Sequence, residues 1–118
     1  MSTATPTPII GRPLSRAAEA YATPEKRDQW ILAERGHGRE WAHVFRVGGD
    51  DAQRLWSVIA GAVLDAPISA IRDESPHGVS CQVGVVLTLD DRTARVLTIW
   101  HYASTSDAPR LVTAYPTP

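Results

Sequence analysis

Val79–Tyr102 (VSCQVGVVLTLDDRTARVLTIWHY) decides the fold. Its first half repeats with a period of two. Val79, Cys81, Val83, Val85, Leu87 and Leu89 fall on one side of an extended chain, and Ser80, Gln82, Gly84, Val86 and Thr88 on the other. Asp90-Asp91 then supplies turn chemistry, and Arg92–Tyr102 returns as a second strand. A long half-buried hairpin follows.

Outward from the hairpin, Pro67–Arg72 reads as a shorter strand at an edge. Arg110–Tyr115 reads as a last strand after a Ser/Thr/Asp/Pro loop. Four consecutive strands joined by short polar turns make an antiparallel meander.

Upstream of residue 66 the period is helical. Asp51 to about Leu64 carries an apolar stripe of Ala52, Leu55, Trp56, Ile59, Ala62 and Val63. Asp50 and Gln53 are placed as a capping-box-like pair before it. Arg39–Arg46 predicts a shorter helix, with Trp41, Val44 and Phe45 at i, i+3, i+4 and Gly48-Gly49 as its stop. Thr23-Pro24-Glu25 opens a further helix with Trp30, Ile31 and Leu32 on its apolar side and Gly36 at its end. Leu14–Tyr21 suggests a short helix before it. Helices first and strands after predict an α+β fold, with N-terminal helices packed on a C-terminal four-stranded meander sheet. Residues 1–12, opening with a Thr/Pro run, are expected to be a flexible tail, and 13–118 one domain.

The chain has 118 residues, one domain by size, and a formal net charge of −1. Near-neutral charge argues against a broad nucleic-acid or membrane footprint while leaving room for a local basic patch. A single cysteine, Cys81, excludes an intrachain disulfide and a thiolate metal cage, and its place among valines reads as a buried thiol. No apolar run reaches membrane-span length and no secretory signal is read, so the expected compartment is the cytoplasm.

Chemistry concentrates at the C-terminal end. On the third strand Arg95, Leu97, Ile99 and His101 share one side, and Ala94, Val96, Thr98, Trp100 and Tyr102 the other. On the fourth, regular alternation sets Leu111, Thr113 and Tyr115 against Arg110, Val112 and Ala114; which sides meet depends on a register the sequence leaves open. His101 offers an acid–base group, Arg95 and Arg110 offer cations for phosphate, and Thr113 and Tyr115 offer hydroxyls. Metal-free RNA cleavage needs those parts, because the 2′-hydroxyl of the ribose is the nucleophile. The plainer alternative is a solvated sheet face with Tyr115 closing the core.

A second candidate is Arg39-Glu40-x-x-His43, with His37 just before it. Glu40 and His43 stand one helical turn apart, a spacing that suits a metal or an acid beside a base, and equally a surface ion pair or Arg39 lying on Trp41. His77-Gly78 reads as turn chemistry. Trp30, Trp41 and Trp56 fall on apolar helix faces and read as core; Trp100, beside His101, reads as the floor of a pocket or as a partner anchor. No Gly-rich phosphate loop, carboxylate pair or Ser-His-Asp set is present, and neither cofactor nor metal is expected.

Thr98-Ile99-Trp100 followed by Ala108–Pro116 (APRLVTAYP) resembles the ending of an uncharacterised family of small bacterial domains. Those domains carry a Lys/Arg-x-x-(Trp/Tyr)-Ile-Leu segment, then a His-Gly-Arg-like turn, then a strand opening with an aromatic or His and a Gly. Lys26–Leu32, His37-Gly38-Arg39 and His77-Gly78 stand in that order here, so the resemblance spans residues 24–116. The closing pattern is also similar to the last strands of small RNase toxins of the barnase, colicin and RelE-like fold. That likeness implies a toxin-type RNase of a toxin–antitoxin or mobile-element context, with Arg110, Thr113 and Tyr115 at the site and His101 as acid–base group. Such toxins are commonly basic, and this chain is not.

Two functions are therefore expected. One is a small metal-independent RNase-like domain with catalytic His101, Arg110, Thr113 and Tyr115, and binding by Arg95, Trp100, Arg39 and His43. The other is a non-catalytic binding protein: an immunity factor, or a phage or mobile-element inhibitor of a host defence complex. A small-ligand site around Trp100 is a third. The partners implied are RNA or a single protein (an antitoxin or a defence complex), with no membrane. The 67–72 edge offers pairing across a homodimer.

Overall fold

The computed structural model describes residues 8–23, 38–46, 51–75, 78–104 and 107–117. Strands β1 (Ile68–Ser75), β2 (Gly78–Leu89), β3 (Arg92–Tyr102) and β4 (Arg110–Pro116) form one antiparallel sheet in the order β1-β2-β3-β4. It is the meander that the period-two stretches predict. The β2–β3 ladder is unbroken from Val79↔Tyr102 to Leu89↔Arg92, closed by a two-residue turn whose Asp90 takes a left-handed φ of 58°.

Two helices, α1 (Gly38–Phe45) and α2 (Ala52–Ala62), precede the sheet in the chain, which makes the fold α+β. Helix α1 lies against β3 and β4, and α2 against β2. Trp41 and Phe45, one turn apart, bury their rings with centroids 5.5 Å apart. Leu55 and Ile59 do the same for α2. They meet the odd-numbered side chains of β2 and the even-numbered ones of β3, including Cys81, Val83, Leu87, Val96 and Trp100. Helix α1 stops at Arg46, whose φ of 59° supplies the left-handed residue that ends helices. The capping expected of Asp50, the stop at Gly48-Gly49 and the helix expected from Thr23 to Gly36 fall outside the described residues.

The buried Trp41 and Trp100 indoles and the Thr98 hydroxyl on the helix face are paired, as a dry core demands. The Trp41 indole N–H donates to the Ala114 carbonyl at 3.1 Å, pinning α1 to β4. The Trp100 indole donates to Thr98 Oγ1 at 2.7 Å, and Thr98 Oγ1 donates to the Val83 carbonyl at 2.7 Å. Trp56 of α2 closes over Trp100, ring centroids 6.1 Å apart.

The segment expected as a helix over Leu14–Tyr21 is instead an extended strap with one short 3-10 turn, Ala17–Glu19. Its backbone groups are taken by tertiary partners, so they are lost to a helix. Gly11 N–H donates to the Ile68 carbonyl and Ile68 N–H to the Arg12 carbonyl, both at 2.8 Å. Tyr102 donates its hydroxyl to the Ser15 carbonyl at 2.8 Å. Arg16 then turns through a left-handed φ of 56°, incompatible with a continuing helix. Finally Tyr21 N–H donates to the Pro109 carbonyl at 3.1 Å, and Leu111 N–H to the Tyr21 carbonyl at 2.8 Å. The strap thus runs from the β1 edge to the β4 edge, burying Leu14 and Ala17 on the way.

Candidate functional site

The far face of the sheet, opposite the helices, gathers the chemistry-bearing side chains. On β3 the pleat sends Arg95, Leu97, Ile99 and His101 to this face, and Val96, Thr98, Trp100 and Tyr102 into the core. Leu97 pairs with Tyr115 and Ile99 with Thr113 across the β3–β4 ladder.

Regular alternation would put Arg110 on the side opposite Thr113 and Tyr115, and the structure corrects this. Beyond Ile99↔Thr113 the ladder shifts, and the next pairs are Trp100↔Leu111 and His101↔Arg110. Val112 is the extra residue of a β-bulge, and a bulge reverses the phase of everything beyond it. Leu111 therefore enters the core, fully buried, and Arg110 joins His101, Thr113 and Tyr115 on the far face. These four are half-buried, and Arg95 is exposed at the other end of β3.

His101 is held from two directions. Its Nδ1 lies 3.1 Å from Ser80 Oγ, the side chain directly opposite on β2. Its other edge lies against Gly78, where a β-carbon would stand 2.7 Å from Nε2 and would also strike the Tyr102 carbonyl oxygen. Gly78 has a φ of +127°, so the hairpin needs glycine on two grounds. The residue types of Ser80 and Gly78 point to no site on their own; only the register brings them to the imidazole.

Among the described residues, Arg95 and Arg110 form no ion pair. Their charge is available to an anion. Arg72 adds a third cation on the β1 side, 3.4 Å from the Gln82 side-chain oxygen. Between Arg95 and the β2–β3 ladder lies an open depression of about 420 Å³, lined by Gly84, Val86, Leu97 and Thr117 among others.

The remaining expected positions lie elsewhere. Trp100 is 0 % exposed and belongs to the core, not to a pocket or a surface. The pleat that exposes His101 must bury its neighbour. His43 is exposed on α1, which packs on the opposite side of the sheet from His101; the backbone of Arg39 belongs to the same helix. Cys81 is buried. Among the described residues no three His, Cys, Asp or Glu converge to hold a metal ion, and no helix is long and apolar enough to cross a membrane. Lys26, Trp30, His37 and His77 fall outside the described residues.

A family model described as a domain of unknown function (DUF6883) matches residues 14–118, and the chain belongs to that family. No curated protein and no solved structure matches it.

Proposed function

We propose that this member of the DUF6883 family is an RNA-cleaving domain that works without metal, with its site on the far face of β3 and β4. One observation carries the reading: the bulge at Val112 sets Arg110 beside His101, on the same face as Thr113 and Tyr115. An imidazole, a guanidinium and two hydroxyls on adjacent strands are the parts that phosphodiester transfer uses. The ribose 2′-hydroxyl attacks the neighbouring phosphorus, the 5′-oxygen leaves, and a 2′,3′-cyclic phosphate remains. His101 moves the proton, steadied through Nδ1 by Ser80. Arg110 offsets charge gathering on the non-bridging oxygens, and Thr113 and Tyr115 orient the phosphate. Arg95, further along β3, receives a phosphate of the same strand.

The test is incubation with total bacterial RNA in the presence of chelator. Cleavage by the parent is expected to fall roughly 10²–10⁴-fold in His101→Ala, the scale of a lost acid–base group. A loss of about 10²–10³-fold is expected in Arg110→Ala. A folded parent that leaves RNA intact refutes the reading.

A second reading has its own support. Val86 is 62 % exposed beside the depression at Gly84 and Leu97, an apolar patch suited to a protein partner. A non-catalytic inhibitor or immunity protein would use that patch. Val86→Asn, which adds no charge beside Arg95, would then abolish a stable complex, whereas on the first reading it leaves RNA cleavage unchanged.

A further inference from the structure

Tyr21 completes the row of far-face side chains that β2, β3 and β4 begin. The register runs Ser80↔His101 and His101↔Arg110, and the strap adds a parallel bridge, Tyr21↔Arg110. Partners in a bridge present their side chains on the same side of the pleat. The neighbours of Tyr21 agree: Ala20 and Ala22 pack against the core, so the residue between them turns away from it. The residue is 47 % exposed, although its backbone is fixed by hydrogen bonds on both sides, to Pro109 and Leu111. Four segments of chain therefore place Ser80, His101, Arg110 and Tyr21 in one line, about 14 Å long at the spacing of neighbouring strands.

We infer that Tyr21 is a base-stacking platform, holding one nucleobase of a single-stranded RNA whose adjacent phosphate lies on Arg110. The inference rests on the RNA reading of this face and names the substrate feature that the face recognises. An exposed phenol ring offers an apolar face with a polar rim, and every base has a π-face to lay on it. The guanidinium next to it carries no ion pair among the described residues and matches the charge of the phosphate that follows the base. Because the strap is tied to β4 at this residue, little backbone freedom is lost when the ring takes up its ligand.

The experiment measures binding of a fluorescent 2′-O-methyl RNA oligonucleotide, which cannot be cleaved, beside an abasic oligonucleotide of equal length and charge. Parent protein, Tyr21→Ala, Tyr21→Phe and Arg110→Ala are compared, each with an unfolding curve to show that it folds. Tyr21→Ala is expected to weaken the RNA roughly ten- to a hundredfold, Tyr21→Phe to restore it, and the abasic strand to bind parent and Tyr21→Ala alike. Arg110→Ala is expected to weaken both ligands. If parent and Tyr21→Ala bind RNA equally while Arg110→Ala weakens it, the stacking role is wrong and the RNA reading stands. If the parent binds neither oligonucleotide, both are wrong.

Discussion

A β-carbon added to Gly78 would stand 2.7 Å from Nε2 of His101. The glycine that opens β2 with a positive φ also provides the wall for the imidazole. Gly78→Ala therefore does two things at once. It forces a φ of +127° on an L-residue and displaces the ring. We expect a loss of about 1–3 kcal/mol in urea unfolding, together with lost activity on RNA. An alanine variant as stable as the parent would show that the hairpin opens freely at this point.

Thr98 is the hinge of a buried relay. It accepts from Trp100 and donates to the Val83 carbonyl, and it is 0 % exposed. Thr98→Val keeps the shape but strands the indole N–H in a dry core, at a cost of about 1–3 kcal/mol. Thr98→Ser keeps the relay and should recover most of that loss. Urea midpoints at constant slope decide between them, and equal midpoints for valine and threonine would mean the indole has another acceptor.

Alkaline pH should find Tyr102. Burial pushes its phenol above the ordinary value of 10.0. Folded protein thus holds a proton that the unfolded chain has already released. The stabilisation is complete below the unfolded pKa and is lost as pH rises from 10 through the folded value. In that window the unfolded state binds fewer protons, so unfolding free energy falls, by about 1.4 kcal/mol per pH unit for one proton. Tyr102→Phe, lower in stability at pH 7, should show a slope shallower by that one proton. Parallel slopes in parent and variant would assign the alkaline loss to other groups.

Val112 is the residue that the bulge absorbs. A chain lacking it should form a regular β3–β4 ladder with Leu111 still inward and Arg110 still opposite His101. We expect the deletion variant to unfold cooperatively, destabilised by about 0.5–3 kcal/mol, and to keep cross-strand NOEs between residues 101 and 110. Their loss from a folded variant would show that the bulge sets the facing of Arg110 by some means other than phase.

The same bulge marks where sequence reading stops. Alternation over Val79–Tyr102 puts His101 and Trp100 on opposite faces, yet the site expected from sequence includes both; the buried indole leaves only His101 of the two on the far face. Alternation failed on β4 because one unpaired residue inverts the phase, and nothing in Arg-Leu-Val-Thr-Ala announces which residue will be skipped. The strap failed for a different reason. Leu14–Tyr21 has helical composition, yet its backbone is claimed by Ile68, Tyr102, Pro109 and Leu111, partners far off in sequence. Ser80, Gly78 and Tyr21 belong to the site through pairing alone. Their residue types carry no signal until the register is known.

The strap also has a place in the order of folding. Tyr21 and Arg110 are the ends of a loop that contains α1, α2 and strands β1 to β3. Closing so long a loop costs more entropy than zipping the β2–β3 hairpin, so it comes late, and what docks late undocks early. Amide exchange should accordingly find the Leu111 N–H, which donates to Tyr21, opening at a lower free energy than the amides of the β2–β3 ladder. Each such excursion takes the tyrosine away from the guanidinium while the sheet stays intact. An early opening of that amide would therefore mean that the line of four side chains exchanges with a line of three, through a clasp whose other end is at Ile68.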